Sequence, residues 1–530
     1  MLGRDHLDLI RGHGVHLGEV TRTLADVYGP RPAIIDPAAS PGLHDGGTRT
    51  YDEIEDHVAR LAAAHQAAGR SGRVLLAIDN RIDIVLHALA LARIGAMPIP
   101  VNPRLTPHEF EGVVTATDAE TAIVDVGAQH VPRLPDAVEI VDSAQVGDWL
   151  TANPDERVTA EPGDPEKTAL LLTTSGTTGV PKAAALTSRG LLGGVGLLLA
   201  APVGSRKGIR ANRDLVLASL PLTHVMGFAT ILACWCAGVG VLRRERFDAK
   251  ETIDLIEQER PNVVVGVPTM YADLEAAGIG HRDVSSIQLW VSAADVMPLE
   301  RARRFQQLGA AFQVNGKPFG SAAFVDIYGM VELSGAAALR VLPPSPIGSL
   351  PAPQVAKTLP GFEVRAVDED GTPLKKGATG ELQFRGPGVL RGYEGRDDAG
   401  PDDEGWLSTG DHGRVRRGGF FQFSGRARDR LKVGGFSVFP AEVEEELRDA
   451  PGIEDIAIVG VPDDRLGERP VAVVVTAPDF DEEKFLGWAE GNVAGYRRPR
   501  QVVVVDELPR GNHGKIDRDT ATELAVEALS

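Results

Sequence analysis

The chain is short of cysteine. Among 530 residues there are two, Cys234 and Cys236, separated by one residue inside the apolar run Ile231 to Val241. Two thiols so placed build no disulfide framework, which fits a reducing, cytoplasmic setting. They also lack the ligand spacing of a metal site, and no second pair exists to complete one. Buried, inert thiols are the expectation. Positive charge is short as well: 55 Lys and Arg stand against 74 Asp and Glu, for a net charge of −19. That disfavours a broad nucleic-acid surface, which needs a basic stripe, and constitutive attachment to anionic lipid. Long apolar runs are missing too. The longest, Leu191 to Val203, is interrupted by glycines and a proline and is too short for a membrane span. Met1 to Val20 is polar and has no signal-peptide core.

What is present is an ordinary globular composition, 43% hydrophobic, in a chain too long for a single core. Strand-like and helix-like segments alternate. Arg73 to Ile78, Ile82 to Ile94 and Met97 to Val101 read as a β-α-β unit. The rhythm returns at Asp214 to Ser219, Phe228 to Ala237, Gly238 to Leu242, Thr252 to Glu259 and Asn262 to Gly266, with further strands at Gln288 to Val291 and Val325 to Tyr328. After about Leu350 the strands are short and separated by Gly/Pro turns. From Pro440 helices and strands alternate again. The expected fold class is α/β: a large N-terminal domain of parallel-type sheets with helices over 1–425, containing a small β-rich subdomain at about 350–425, and a small α+β C-terminal domain over 426–530. The border falls in the basic segment Gly425 to Lys432.

The most informative stretch runs Thr173-Thr174-Ser175-Gly176-Thr177-Thr178-Gly179-Val180-Pro181-Lys182. Hydroxyls donate hydrogen bonds to phosphate oxygens, glycine lets backbone N–H groups approach an anion, and the lysine adds a point charge. The apolar run Ala169 to Leu172 just before it reads as a buried strand. It is not the common nucleotide loop, which needs Gly-x-x-x-x-Gly-Lys-Ser/Thr; here Pro181 precedes Lys182 and Ala183 follows. A P-loop NTPase is therefore excluded.

The string resembles the phosphate loop of the acyl-adenylate-forming superfamily, which includes acyl-CoA synthetases, luciferases and peptide-synthetase adenylation domains. Further segments resemble that family in order along nearly the whole chain. Pro221-Leu222-Thr223-His224-Val225-Met226-Gly227 looks like the segment beside the acyl pocket. The resemblance implies that His224 lines the acyl site and helps gate the thiol channel, with Val225, Gly227 and Val267 shaping the pocket. An acidic partner for an α-ammonium would be expected soon after; Phe228, Ala229, Thr230 and Ile231 stand there instead, which argues for an apolar acid. Val291-Ser292-Ala293-Ala294-Asp295 resembles the stretch bordering adenine, with Ala293 where glycine is usual. Tyr328-Gly329-Met330-Val331-Glu332 is similar to Tyr-Gly-x-Thr-Glu: the tyrosine stacks near adenine and Glu332 holds Mg²⁺. Val331 departs from it, losing one hydroxyl donor, so activity is expected to be lowered rather than abolished.

Trp406-Leu407-Ser408-Thr409-Gly410-Asp411 looks like the family's ribose-binding turn, with Asp411 accepting both hydroxyls. Gly425 to Gly435 resembles the hinge: Arg426 reaches ribose or phosphate, Arg428 is the pivot, and Gly434 and Gly435 border the CoA channel. Leu508 to Arg518 matches Pro-Arg-x-x-x-Gly-Lys-x-x-Arg, which makes Lys515 the strongest catalytic candidate, with Glu332 and Thr174 beside it. The nucleotide set implied by the resemblance is Thr174, Ser175, Gly176, Thr177, Thr178, Gly179, Lys182, Ala293, Ala294, Tyr328, Gly329, Asp411 and Arg426.

The resemblance implies ATP-dependent activation of a fatty or other hydrophobic carboxylic acid to acyl-AMP, then thioester formation with coenzyme A, with a mobile C-terminal domain serving the two steps in turn. An acyl-AMP ligase loading an acyl carrier protein is the alternative; no long insertion stands between Glu332 and Trp406, which leans toward CoA. A non-catalytic homologue is a third reading, opposed by the retention of Lys182, Glu332, Asp411, Arg426 and Lys515.

Overall fold

The structure is a computed structural model. It describes residues 15–36, 47–125, 134–174, 182–193, 214–314, 317–344, 355–396, 400–433, 436–463, 465–511 and 515–529. The chain divides into two compact units, one of residues 1–363 and 385–407 and the other of 364–384 and 408–530.

Six parallel strands form the centre of the first unit: Pro32–Asp36, Gly240–Leu242, Leu215–Ala218, Val263–Gly266, Leu289–Ala293 and Ala323–Met330, in that spatial order. Antiparallel strands extend it at either side, Gly47–Thr50 beside the first and Gly335–Leu342 beside the last. The sequence dictates this arrangement. Val263–Gly266 and Leu289–Ala293 are buried along their whole length, as expected of parallel strands covered on both faces. One covering layer is a core of Tyr271, Trp290, Phe305 and Phe324. Tyr271 meets Phe305 edge to face at 4.8 Å, and Trp290 meets Phe305 at 5.1 Å, a geometry worth about 0.5–1.5 kcal/mol per pair beyond area burial. The Tyr271 hydroxyl donates to the Val291 carbonyl at 2.7 Å, which fixes the helix Pro268–Ala276 to the strand it covers.

A second, four-stranded parallel sheet holds Met97–Pro100, Arg73–Ala77, Thr121–Val124 and Glu139–Asp142. The β-α-β reading of this region is correct: the helix spans Asp83–Arg93 and is almost wholly buried. The preceding helix, Tyr51–Ala67, begins with a capping box in which Thr50 and Glu53 satisfy each other's exposed donors. Leu171 and Ala185, from the hairpin Thr168–Thr174 and Lys182–Thr187, share this sheet's core.

Glu363–Val367, Thr379–Arg385, Leu407–Val415 and Phe420–Arg426, which belong mostly to the second unit, lie side by side. A five-stranded sheet follows, built around the long antiparallel pair Ile453–Asp463 and Gly467–Thr476. Its two faces are closed by separate apolar cores, one around Leu447 and Phe485, the other around Leu508, Ala521 and Ala525. The two cysteines of the first unit are buried and free; burial pushes the Cys236 thiol up to about 12 and the Cys234 thiol still higher, so both are inert as nucleophiles.

Candidate active site

The phosphate-loop candidate sits on a hairpin. Ala169 to Leu172 is a buried strand, as its composition predicts. Thr174 ends that strand and pairs directly with Lys182, which begins the return strand. Ser175, Gly176, Thr177, Thr178 and Gly179, between them, lie outside the described residues. The Lys182 ammonium lies 5.2 Å from the centroid of the Tyr393 ring.

Glu332 occupies a single 3₁₀ turn, Val331–Leu333. The turn is held from several sides. Gly329 passes so close to Gly335 that a Cβ on Gly329 would stand 1.6 Å from the Gly335 carbonyl oxygen, so no other residue fits there without moving the backbone. Ser334, at φ 55°, donates its hydroxyl to the Gly388 carbonyl at 2.8 Å. The Leu390 amide donates to the Glu332 carbonyl at 2.9 Å. The Tyr393 hydroxyl donates to Glu332 Oε1 at 2.8 Å. Burial first, then the adjacent Glu332 charge and hydrogen bond, push the Tyr393 phenol well above its ordinary value, so the hydroxyl stays a donor. Sequence reading missed Tyr393. Its only signal is a Gly-Tyr pair after a glycine-rich turn.

On the acyl side, His224 caps the helix Val225–Cys236, and its amide donates to the Pro221 carbonyl at 3.2 Å. Asn80 holds the preceding turn, accepting from the Leu222 amide at 2.7 Å and donating to the Leu220 carbonyl at 3.3 Å. Gly227 has a packing reason to be glycine: a Cβ there would meet the Pro221 carbonyl oxygen at 2.1 Å. Val267 stands before the first turn of Pro268–Ala276. Ala293 is fully buried at the end of its strand, and Ala294, next along, takes φ 73°. Tyr328 lies on the neighbouring strand, opposite Ala338. These residues all belong to the first unit.

The second unit carries the rest. Asp411 and Arg426 face each other across an antiparallel pair, and Arg426 Nε lies 2.9 Å from Asp411 Oδ1. The Thr409 hydroxyl donates to the Leu382 carbonyl at 2.7 Å and accepts from the Asp411 amide at 3.1 Å, which fixes the turn before the buried carboxylate. Arg428 is exposed in the next turn, 3.3 Å from Asp429. Gly434 and Gly435 lie outside the described residues. Lys515 is exposed; its carbonyl accepts from the Gly511 amide at 2.9 Å, next to an antiparallel bridge between Arg510 and Ile516. Arg518, three residues on, donates from its two terminal nitrogens to Glu444 at 2.5 and 2.9 Å.

No group of three or more metal-ligating side chains occurs among the described residues. A lone carboxylate suits Mg²⁺ that arrives on a polyphosphate, since that ion keeps its waters and takes one or two carboxylates. Glu332 fits this: Oε1 is held by Tyr393, and no other side chain among the described residues bonds its carboxylate. Among the described residues no helix is long and apolar enough to cross a membrane.

Residues 22–394 match the family model described as AMP-binding enzyme, and residues 442–515 match the AMP-binding enzyme C-terminal domain. A feruloyl-CoA synthase of Amycolatopsis sp is 32% identical over 503 residues, covering 92% of this chain and 96% of that protein. An indoleacetate–CoA ligase of Aromatoleum aromaticum is 32% identical over 502 residues, covering 90% and 93%. Among solved structures, ATP-bound MatB from Rhodopseudomonas palustris superposes with a TM-score of 0.80 at 24% identity, covering 97% of this chain and all of that one, and this likeness bears on the fold.

Proposed function

We propose, because this chain belongs to the AMP-binding enzyme family, that it is an AMP-forming acid–thiol ligase acting on a hydrophobic carboxylic acid. The acid's carboxylate oxygen attacks the α-phosphorus of ATP and pyrophosphate leaves. The thiol sulfur of CoA then attacks the acyl carbon and AMP leaves. A carboxylate is a poor electrophile until the phosphoanhydride supplies it with a leaving group, so the first step is the one that needs the protein most.

That step brings two anions together, and the chain's part in it is electrostatic. Lys182 and Thr174 receive the phosphates with the loop between them. Glu332 would hold Mg²⁺, which would neutralise phosphate charge. Asp411 accepts the ribose hydroxyls and Arg426 lies beside it. Lys515 is brought by a C-terminal lid of residues 426–530 that turns about Arg428. Gly434 and Gly435 then border the path of the CoA arm in the second step. A thiol with an ordinary pKa near 8.5 needs little base assistance, so no triad is required. The observation that carries the proposal is the joining, in one unit, of the Lys182 hairpin and the Glu332 turn through Tyr393.

The acid is proposed to carry a ring. The two relatives named above are named for aryl acids, feruloyl and indoleacetate. After His224, Phe228, Ala229 and Ile231 are buried and no carboxylate stands ready for an ammonium group. The test is pyrophosphate release from the purified protein with aryl-propenoic, aryl-acetic and straight-chain acids, each with CoA, with a carrier protein, and with neither. The expected result is acid-dependent release that is greatest with the aryl acids and is converted to thioester by CoA. Nucleotide binding with no release across the panel would sink the proposal.

A further inference from the structure

One short segment, residues 388–394, touches both halves of the phosphate-handling machinery of the first unit. Its carboxyl end runs along the return strand of the hairpin: the Ala185 amide donates to the Gly392 carbonyl at 3.0 Å and the Glu394 amide to the Ala183 carbonyl at 2.8 Å. Its amino end holds the Glu332 turn through Gly388 and Leu390. Tyr393 stands where the two meet. Its ring face carries the Lys182 ammonium and its hydroxyl holds one oxygen of Glu332.

We infer that Tyr393 is a positioning residue for nucleotide binding: it fixes the Glu332 carboxylate so that its second oxygen is presented to the metal of a metal–ATP complex, and it seats Lys182 beside that complex. The inference rests on the ligase reading and deepens it. A bare carboxylate on a solvent-accessible turn samples several rotamers, and each must be frozen when a metal binds. A hydrogen bond to one oxygen freezes the side chain beforehand and leaves the other free to ligate. The ring does the same for Lys182, whose ammonium it holds over its face. A cation held over a ring face within about 6 Å is attracted by the ring quadrupole, and the observed separation satisfies this.

The test reads binding, with no acid present. Mn²⁺ with ATP is titrated against the full-length protein, and free Mn²⁺ is followed by electron paramagnetic resonance. Metal-free ATP is measured separately by equilibrium dialysis in EDTA. Tyr393→Phe keeps the ring and removes the donor. It is expected to weaken binding of Mn²⁺–ATP about tenfold, the usual scale for a lost hydrogen bond to a charged group, and to change metal-free ATP binding less than about twofold. Glu332→Gln is expected to weaken Mn²⁺–ATP by a similar factor. Adding Tyr393→Phe to Glu332→Gln is expected to cost nothing further, because the group it orients is gone. Tyr393→Leu, which removes the ring as well, is expected to weaken metal-free ATP too. Equal losses with and without metal in Tyr393→Phe, or full additivity with Glu332→Gln, would mean that the tyrosine is only scaffold and would overturn the inference; so would unchanged Mn²⁺–ATP binding. A wild-type protein that shows the coupled binding but never releases pyrophosphate would instead sink the ligase reading.

Discussion

At the scale of single residues, strain is concentrated beside the candidate site. Among the described residues, four that are not glycine have positive φ: Asp118, Arg260, Ala294 and Ser334. The first two end helices, where a left-handed residue is ordinary. Ala294 follows the strand Leu289–Ala293, and Ser334 follows the Glu332 turn. Ser334 is compensated by its bond to Gly388. Ala294 has a methyl group in a region that costs an L-residue roughly 1–2 kcal/mol. Ala294→Gly removes that cost but adds chain entropy to the unfolded state, so a net gain of about 0.5–1 kcal/mol is expected. A rise in the urea midpoint at constant slope would show it, and a fall would refute the strain. The sequence pointed to the neighbour instead, since Ala293 stands where the family has glycine. The structure accommodates the Ala293 methyl as an ordinary buried strand end; the unusual backbone belongs to Ala294. A dihedral angle leaves no mark in composition, and alanine at a left-handed position is what sequence rules are least able to foresee.

At the scale of elements, periodicity located the strands because burial on both faces writes itself as unbroken apolar runs, as in Val263–Gly266. Elements whose role depends on distant partners were less legible. The segment holding Tyr393 contacts residues more than 60 positions earlier in the chain, such as Glu332 and Lys182, and no local pattern encodes that. The same holds for the helix pair Tyr51–Ala67 and Asp83–Arg93, which buries three histidines, His57, His65 and His87. Arg70 donates to His65 Nδ1 at 3.1 Å, so His65 carries its proton on Nε2 and gives it to His87 Nδ1 at 2.9 Å. A further proton would meet Arg70 on one ring or the His65 N–H on the other. Burial above all lowers His57 to about 4 and His87 to about 3, and holds His65 well below 6.5. With folded values below the unfolded one, the unfolded chain binds more protons, so this stabilisation is complete above pH 6.5 and is lost as pH falls toward 4. Each ring contributes a slope of up to about 1.4 kcal/mol per pH unit. Thermal midpoints from pH 7.5 down to 5 should fall accordingly. His57 Nε2 has no hydrogen-bond partner among the described residues, so His57→Leu should flatten the fall by roughly one third, one ring of three, without lowering stability at pH 7.5. An unaltered pH slope in that variant would rule the mechanism out.

At the scale of the whole molecule, the candidate residues are divided between two compact units: Thr174, Lys182, Tyr328 and Glu332 in the first, Asp411, Arg426, Arg428 and Lys515 in the second. This division matters because the two half-reactions make different demands. Adenylation needs a cation to offset charge shifting onto the leaving pyrophosphate; thioester formation needs a passage for a long, thin thiol arm, and its leaving group is AMP alone. One fixed arrangement serves both poorly, and a lid that changes its face serves both well. Lys515 is exposed, and three residues on Arg518 is paired with the buried Glu444, so removing the lysine ammonium leaves that pair intact. Lys515→Ala is therefore expected to lower carboxylate-dependent ATP–pyrophosphate exchange by at least about a hundredfold, the scale of losing one transition-state charge donor. Thioester formation from presupplied acyl-AMP and CoA should stay within about threefold of wild type, since no pyrophosphate leaves in that step and the lysine stabilises no transition-state charge there. The two rates are measured on the same preparation. A parallel collapse of both would mean that Lys515 supports the lid's structure or serves both steps, and the division of labour between the lid's faces would have to be abandoned.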